Sequence, residues 1–236
     1  MRGPGPRGGQ GERATERAAG LGSPRRLLIA TRSTGKLREL IPMCAARGID
    51  AIDLHAAGID ESPAEDALEI HTTFEENAAA KARYFHDRSG LPTLADDSGL
   101  VVAALGGRPG VLSKRWSGRT DLEGQALDDE NNRLLLELMR GVVDRRAGYV
   151  CAAAIVAGDE SRDGPRGGPR DGVFVRRGEV RGRITEAPRG AGGFGYDPYF
   201  LSDELGCTFG EASAEEKGRV SHRARAVAAL FDALSA

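Results

Sequence analysis

The alternation of short apolar runs with stretches of helical apolar spacing most restricts how this chain can fold. Residues 27–30 are apolar throughout and read as a strand. Residues 35–47 follow with Leu37, Leu40, Ile41 and Cys44 at helical spacing, and Pro42 is expected to kink or shorten that helix. Residues 50–54 read as a second strand. Thr73 and Glu76 form a capping box ahead of a helix with Phe74, Ala78, Ala82 and Phe85 on one face, stopping near Gly90. Residues 93–95 and 100–103 read as two strands around a polar turn. Residues 123–139 form a helix expected to turn Leu127, Leu134, Leu135 and Leu138 inward. Residues 149–157 and 173–176 read as paired strands, with a third at 180–185. From about Ser221 the chain is helical, carrying Ala224, Val227, Phe231 and Leu234. Strands interleaved with helices, plus an antiparallel stretch around 149–185, make this an α/β chain with a mixed sheet.

Composition limits what such a fold can do. The 236 residues carry 33 Lys+Arg against 35 Asp+Glu, a net charge of −2, so no global basic field exists to hold a nucleic acid by its phosphates. An anionic small molecule needs only local positive charge. The longest apolar run, residues 150–157, is too short to span a bilayer. Nor does the N-terminus carry the apolar stretch of a secretory signal. Cys44, Cys151 and Cys207 are far apart and match no metal spacing, which fits a reducing cytoplasm.

Two segments cannot bury enough surface to order themselves. Residues 1–24 hold seven Gly, three Pro and four Arg with almost no large apolar side chain, and read as a disordered tail. Residues 158–172, with five Gly, two Pro and seven charges, read as a long mobile loop between strands. The remaining 25–236 reads as one domain.

Five motifs carry the chemistry. Thr31, Arg32, Ser33, Thr34, Gly35 and Lys36 lie where a strand runs through a loop into a helix, a position that favours an anion. The segment is not a Walker A loop, because Ala30 and Leu37 stand where that motif needs Gly and Ser/Thr. An N-cap beside a surface lysine is the plainer reading. Ala95-Asp96-Asp97-Ser98-Gly99 places two carboxylates side by side, which suits a divalent cation or a general base, or else an Asp-rich turn. Asn77 and Lys81 share one helix face, and Glu69 precedes that helix. A capped helix with a solvated pair is the alternative there. The run from Gly192 to Pro198 holds three glycines around Phe194, with Gly195, Tyr196 and Asp197 beside it; an aromatic face for a base and a fixed acceptor compete with an ordinary turn. Lys217, His222 and Arg223 cluster donors at the start of the last helix, suited to a phosphate or purine carbonyl, or simply solvated.

Taken in order, TFEENAAAKAR, LPTLADDSGL, GGRPGVLSKRWSG, GGFGYDPYF and EEKGRVSHRARA resemble the inosine/xanthosine triphosphate pyrophosphatase family over about residues 26–235. The resemblance implies an elongated, two-lobed mixed α/β fold of the ITPase-like (anticodon-binding-like/Maf–ITPase) kind, with a central cleft, in a cytoplasmic homodimer. It implies hydrolysis of ITP, dITP or XTP to the monophosphate and pyrophosphate with Mg²⁺. It implies Asp97 as proton acceptor, Glu69 and Asp97 as metal ligands, phosphate contacts from the Thr31–Lys36 loop, and Lys81 and Ser98 facing the triphosphate or the metal site. Phe194, Gly195, Tyr196, Asp197, Lys217, His222 and Arg223 would form the purine pocket. No nucleic-acid or membrane partner is implied. The chain departs from the family at Ser33, where Asn is frequent, and at Lys114, where a small residue is common. A house-cleaning pyrophosphatase of similar fold aimed at modified pyrimidines, as in the septum-inhibition-like enzymes, and a nucleotide binder without turnover are the competing readings.

One compositional feature runs through these motifs. Only Lys36, Lys81, Lys114 and Lys217 are lysine, and every other base is arginine. Lysine is a compact point charge and arginine a planar fork. Three of the four lysines fall in the segments above. Chance codon bias would leave the same small number without any placement.

Overall fold

The computed structural model describes residues 25–157 and 172–235. The expected tail 1–24 and all but the last residue of the expected loop 158–172 lie outside the described residues. One six-stranded sheet organises the rest, in the order β2-β1-β3-β4-β5-β6. Its strands are β1 (Arg26–Ile29), β2 (Asp50–Asp53), β3 (Thr93–Val102), β4 (Arg146–Val156), β5 (Val173–Ile184) and β6 (Phe200–Ser202). β2, β1 and β3 are parallel neighbours, and each later pair is antiparallel. The mixed sheet expected from the sequence is therefore present.

Helices cover both faces. α1 (Thr34–Ala45) and α5 (His222–Ser235) pack on one, where Leu27, Ile29, Leu94, Cys151, Ala153 and Ile155 meet Leu40, Val227 and Phe231. α2 (Phe74–Ser89) packs on the other against Leu28, Ala30, Ala95, Val150, Ala152 and Ala154. α3 (Gly124–Leu138) and the short α4 (Ala214–Val220) flank the far end. Successive strand side chains point to opposite faces, so both sets can be apolar only because both faces are covered.

The N-cap read at Thr73 is present, but without the reciprocal half of a capping box, because Glu76 accepts the Thr73 hydroxyl and not its amide. Thr73 Oγ1 accepts from the Glu76 amide at 3.2 Å and donates to the Glu76 carboxylate at 2.7 Å. α2 then ends on Gly90, whose φ of 67° is left-handed. Phe74, Ala78, Ala82 and Phe85 all face the sheet.

Several expectations are corrected. α1 starts one residue earlier than expected and stops at Ala45, short of the expected 47, three residues after Pro42. Pro42 and Arg38, whose carbonyl loses its partner, are exposed, so water can satisfy the freed group. Ile41 and Leu138 are 37% and 39% exposed rather than inward, and α3 instead buries Asn131 and Asn132 beside Leu127 and Leu135. The expected strands 173–176 and 180–185 are one strand, β5. Gly178 sits at its centre because α5 passes directly above: a Cβ there would collide with the His222 carbonyl oxygen. Largest in consequence, the polar turn expected between 95 and 100 does not exist. β3 runs unbroken through Asp96 and Asp97, paired to Ala153 and Ala152 of β4.

Candidate active site

A continuous β3 changes what the two adjacent carboxylates can do. Alternation sends Asp97 toward α2, with Ala95, and Asp96 with Ser98 toward α1 and α5. They do not flank one cation, as a turn would have allowed. Each has its own set of partners.

On the α2 face, Asn77 donates to Asp97 Oδ2 at 2.9 Å and the Ser98 amide to Oδ1 at 3.0 Å. Lys81, one turn beyond Asn77, places Nζ 3.9 Å from Asp97 Oδ1 and 2.6 Å from Glu69 Oε1. Glu69 ends the 3-10 helix Pro63–Glu69, and Arg115 also bonds it, through Nη1 to Oε2 at 3.3 Å and through Nη2 to its carbonyl. Burial raises the Asp97 carboxyl above its ordinary value and Glu69 adds to this; Lys81, Lys36 and Asn77 offset only part. For Glu69 burial also opposes the charge, but Lys81, Lys36 and Arg115 outweigh it and bring the group down to about 2. Lys81 is buried, yet Glu69, Asp97 and Asp96 keep its ammonium charged and its pKa raised. The α2 face thus holds one firmly ionised carboxylate and one whose proton is more easily kept.

On the opposite face, Asp96 Oδ2 meets Lys36 Nζ at 3.2 Å and Arg223 Nε at 3.1 Å. Arg223 is 1% exposed, bonds Ser98 Oγ at 2.8 Å through Nη2, and pairs with Glu39 through Nη1. Glu39 also meets Lys217 Nζ at 2.7 Å, and Lys217 reaches Asp197 at 2.5 Å. Three cations and three carboxylates therefore alternate in one buried chain. Burial disfavours the Asp96 charge, but Lys36, Arg223 and Lys81 outweigh it and hold the group well below the usual carboxylate range. Cys151 Sγ lies 3.8 Å from Asp96 Oδ2, where burial and that charge push the thiol far up.

Phe194 closes this second cluster. Its ring packs on Gly35, where a Cβ would stand 2.7 Å from ring carbons, and Lys217 Nζ lies 4.8 Å from the ring centroid. The Asp197 carboxylate accepts the Phe194 amide at 2.8 Å. α3 holds the next residue on both sides: Asp128 accepts the Gly195 amide and Asn132 donates to the Gly195 carbonyl, each at 3.0 Å. Tyr196 anchors the loop to the Ser113 carbonyl at 2.8 Å. His222 is buried and stacked on Tyr149, ring centroids 4.7 Å apart. Burial, with Arg223 and Lys217 nearby, pushes its pKa well below 6.5, so its ring is neutral.

The structure brings most of the sequence candidates together around β3 and sets some apart. Lys36, Ser98, Phe194, Asp197, Lys217 and Arg223 share one cluster; Glu69, Lys81 and Asp97 share the other. Arg32 is turned away onto Glu65, and Thr34 is exposed as the first residue of α1. Ser33 acts as the N-cap, accepting the Lys36 amide at 3.4 Å, and Thr31 Oγ1 accepts the Ser33 amide at 3.2 Å. Arg223 offers no idle face, because Nε and both Nη atoms are bonded inside the protein. Tyr196 is buried with its hydroxyl already donated.

Sequence reading missed Glu39, Arg115 and Asp128 as partners of the site. Glu39 follows Lys36 by one helical turn, and an acid on the inward side of a helix was the signal available. Arg115 and Asp128 act across the fold and carried no local signal.

Known proteins resemble this chain in sequence and in fold. Residues 27–233 match the Ham1 family. A dITP/XTP pyrophosphatase of Bordetella parapertussis is 42% identical over 212 residues, 90% of this chain and 92% of the relative. One from Mycolicibacterium paratuberculosis is 46% identical over 211 residues, 88% of this chain and 95% of the relative. Among solved structures, a HAM1 protein from Coxiella burnetii superposes with a TM-score of 0.70 at 32% identity, covering 89% of this chain and 98% of that one. A nucleoside-triphosphatase / dITP/XTP pyrophosphatase from Mycobacterium abscessus gives 0.61 at 38% identity, covering 87% and 98%.

Proposed function

The chain belongs to the Ham1 family, and from that premise we propose that it hydrolyses aberrant purine nucleoside triphosphates, dITP, ITP and XTP, to the monophosphate and pyrophosphate. The observation that carries the reading is the convergence of Glu69, Lys81 and Asp97 on one face of β3, with Lys36 and the purine-side cluster on the other.

Asp97 is the proton acceptor or water-orienting group in this account. Its carboxylate is fixed at both oxygens, by Asn77 and by the Ser98 amide, and burial raises its basicity toward a useful range. Lys36 and Lys81 bring compact positive charge to the polyphosphate. Lys81 stays protonated throughout, so it serves as charge and not as a base.

Glu69 and Asp97 fit a hard divalent cation such as Mg²⁺ as first-choice ligands. They are two oxygen donors converging on the same Lys81 ammonium. Among the described residues no group of three or more His, Cys, Asp or Glu side chains forms a protein-only cage. Mg²⁺ typically takes one or two carboxylates and completes its shell with water and substrate phosphate. Bound there, it supplies charge compensation on the phosphate oxygens as the anhydride bond breaks.

The Phe194 loop with Lys217 and His222 supports the purine side. A 6-keto purine presents an acceptor to donors there. Adenine presents a donor instead, and a donor left unpaired costs about 1–3 kcal/mol.

A homodimer is part of this reading, supported by the exposure of Ile70 (71%) and Leu112 (45%) near the Glu69–Arg115 contact. So is the cytoplasm, supported by three cysteines that are all unpaired. No helix among the described residues is long and apolar enough to cross a membrane.

The test is a panel of dITP, XTP, ITP, ATP and dTTP with Mg²⁺ and product identification. The 6-keto purines should be turned over with release of pyrophosphate. Release of orthophosphate, or equal turnover of ATP, would overturn the reaction or the specificity respectively.

A further inference from the structure

Arg32 lies in the loop that opens α1, where a phosphate contact is the obvious expectation, yet Nε and both Nη atoms each already donate a hydrogen bond elsewhere. Nε and Nη2 bond the two Glu65 oxygens at 3.1 and 2.8 Å, and Nη1 donates to the Ile59 carbonyl at 2.9 Å. This is the bidentate fork that arginine makes and lysine cannot. The Arg32 Cζ also lies 5.9 Å from the Phe85 ring centroid on α2.

Glu65 is no incidental partner. It completes the capping box of the 3-10 helix Pro63–Glu69, accepting the Ser62 amide at 3.1 Å. That helix has no fully buried residue, and of its side chains only the partly buried Leu68 packs on the apolar core of the α2 face, so polar contacts matter to its placement. Its last residue is Glu69, which the α2-face cluster requires beside Lys81. One turn and a third of 3-10 helix, about 8 Å, separates Glu65 from Glu69.

We propose that Arg32 is a positioning residue: it clamps the helix that carries Glu69 to the loop that opens α1, and so sets Lys36 and Glu69 in register across β3. The proposal rests on the pyrophosphatase reading for its kinetic consequence but not for its structural one. It explains why an arginine, and not one of the rare lysines, stands at this position of the loop.

The experiment compares wild type, Arg32→Lys, Glu65→Gln and the double variant. Lysine keeps the positive charge in the loop and loses the fork. Glutamine keeps the helix cap, since Gln serves in a capping box, and loses the charge. Each single variant should lower kcat/KM for dITP by about tenfold or more, the usual size for losing a supporting partner, with the larger share in KM. The double variant should be no worse than the worse single. Amides of residues 64–71 should exchange faster in both singles, while the thermal midpoint falls by no more than about 4 °C. A Glu65→Gln enzyme with wild-type kcat/KM beside an impaired Arg32→Lys enzyme would overturn the proposal and make Arg32 a direct phosphate contact. Unchanged exchange at 64–71 in both singles would overturn it as well. Should wild type release no pyrophosphate from dITP, the functional reading fails, and the exchange data alone decide the clamp.

Discussion

The two faces of β3 use adjacent, chemically identical side chains for opposite ends. Asp96 is buried among Lys36, Arg223 and Cys151, with its carboxyl held well below the ordinary range. Asp97, one residue on, faces Asn77, Lys81 and Glu69, and its carboxyl is held above that range. Burial disfavours the charge on both sides. What differs is the count of cations in contact: Asp96 has two within 3.2 Å, whereas the nearest to Asp97 stands at 3.9 Å and is shared with Glu69. One carboxylate is spent on holding α1, α5 and the sheet together. The other is left with reserve basicity where a water or a metal can use it. The contrast teaches that the residue pair is not a unit; a strand separates what a turn would have joined.

The contrast can be broken by substitution. Asp97→Asn should lower the rate of pyrophosphate release from dITP by about 10²–10⁴-fold, the range expected for a lost general base. Pyrophosphate quantitation under saturating dITP checks this, and near-wild-type release would remove Asp97 from its role.

Asp96→Asn should act on stability first. It leaves Arg223 and Lys36 in a buried cluster short of one negative charge, and breaking a buried pair costs about 3–5 kcal/mol. A lowered urea midpoint whose shift, multiplied by an unchanged slope, equals that free energy is the expected outcome. An unfolding curve that overlays wild type would show Asp96 to be dispensable for the fold.

Lysine placement sharpens the same comparison at smaller scale. Lys81 is 7% exposed and held between two carboxylates, so Lys81→Arg overfills a packed site, at a cost of about 1–3 kcal/mol, and should raise KM for dITP. Lys114 pairs with Asp128 at the surface, with 62% of its side chain exposed, and Lys114→Arg should stay within about 0.5 kcal/mol of wild type. Equal KM values for the two variants would return the scarcity of lysine to codon bias.

Much of this was legible in the sequence because the signals were local. Thr73, Glu76 and Gly90 bound α2 through contacts within a few residues. The apolar runs at 27–30 and 149–157 need only two covered faces to be strands. Three of the four lysines sit in the carboxylate clusters around β3, partners that their motifs did not announce. What was not legible was set by distant partners. Two consecutive aspartates read as a turn because their neighbours in sequence offer no compensation; Lys36, Asn77, Lys81 and Arg223 arrive from three other elements to make a strand tolerable there. Residues 173–176 and 180–185 read as separate strands, and what joins them through Gly178 is a helix more than forty residues on that leaves no room for a side chain there. Arg32 was misplaced because a loop entering a helix says where a side chain starts, not which way it turns.

The account stands most directly on the pH dependence of unfolding free energy for Asp97→Asn against wild type, measured in EDTA to exclude bound cations. Asp97 has a raised folded pKa, so folding favours its protonated form and the native state is penalised once pH exceeds the unfolded value, about 3.9. Asparagine mimics that neutral form. The variant should therefore be more stable than wild type near neutral pH, with the advantage shrinking as pH falls toward about 4 and absent below it. Asp96→Asn should show the opposite sign, a deficit that is full above the unfolded value of about 3.9 and shrinks as pH falls below it toward the depressed folded pKa. An Asp97→Asn protein less stable than wild type at neutral pH would contradict the division of labour between the two carboxylates.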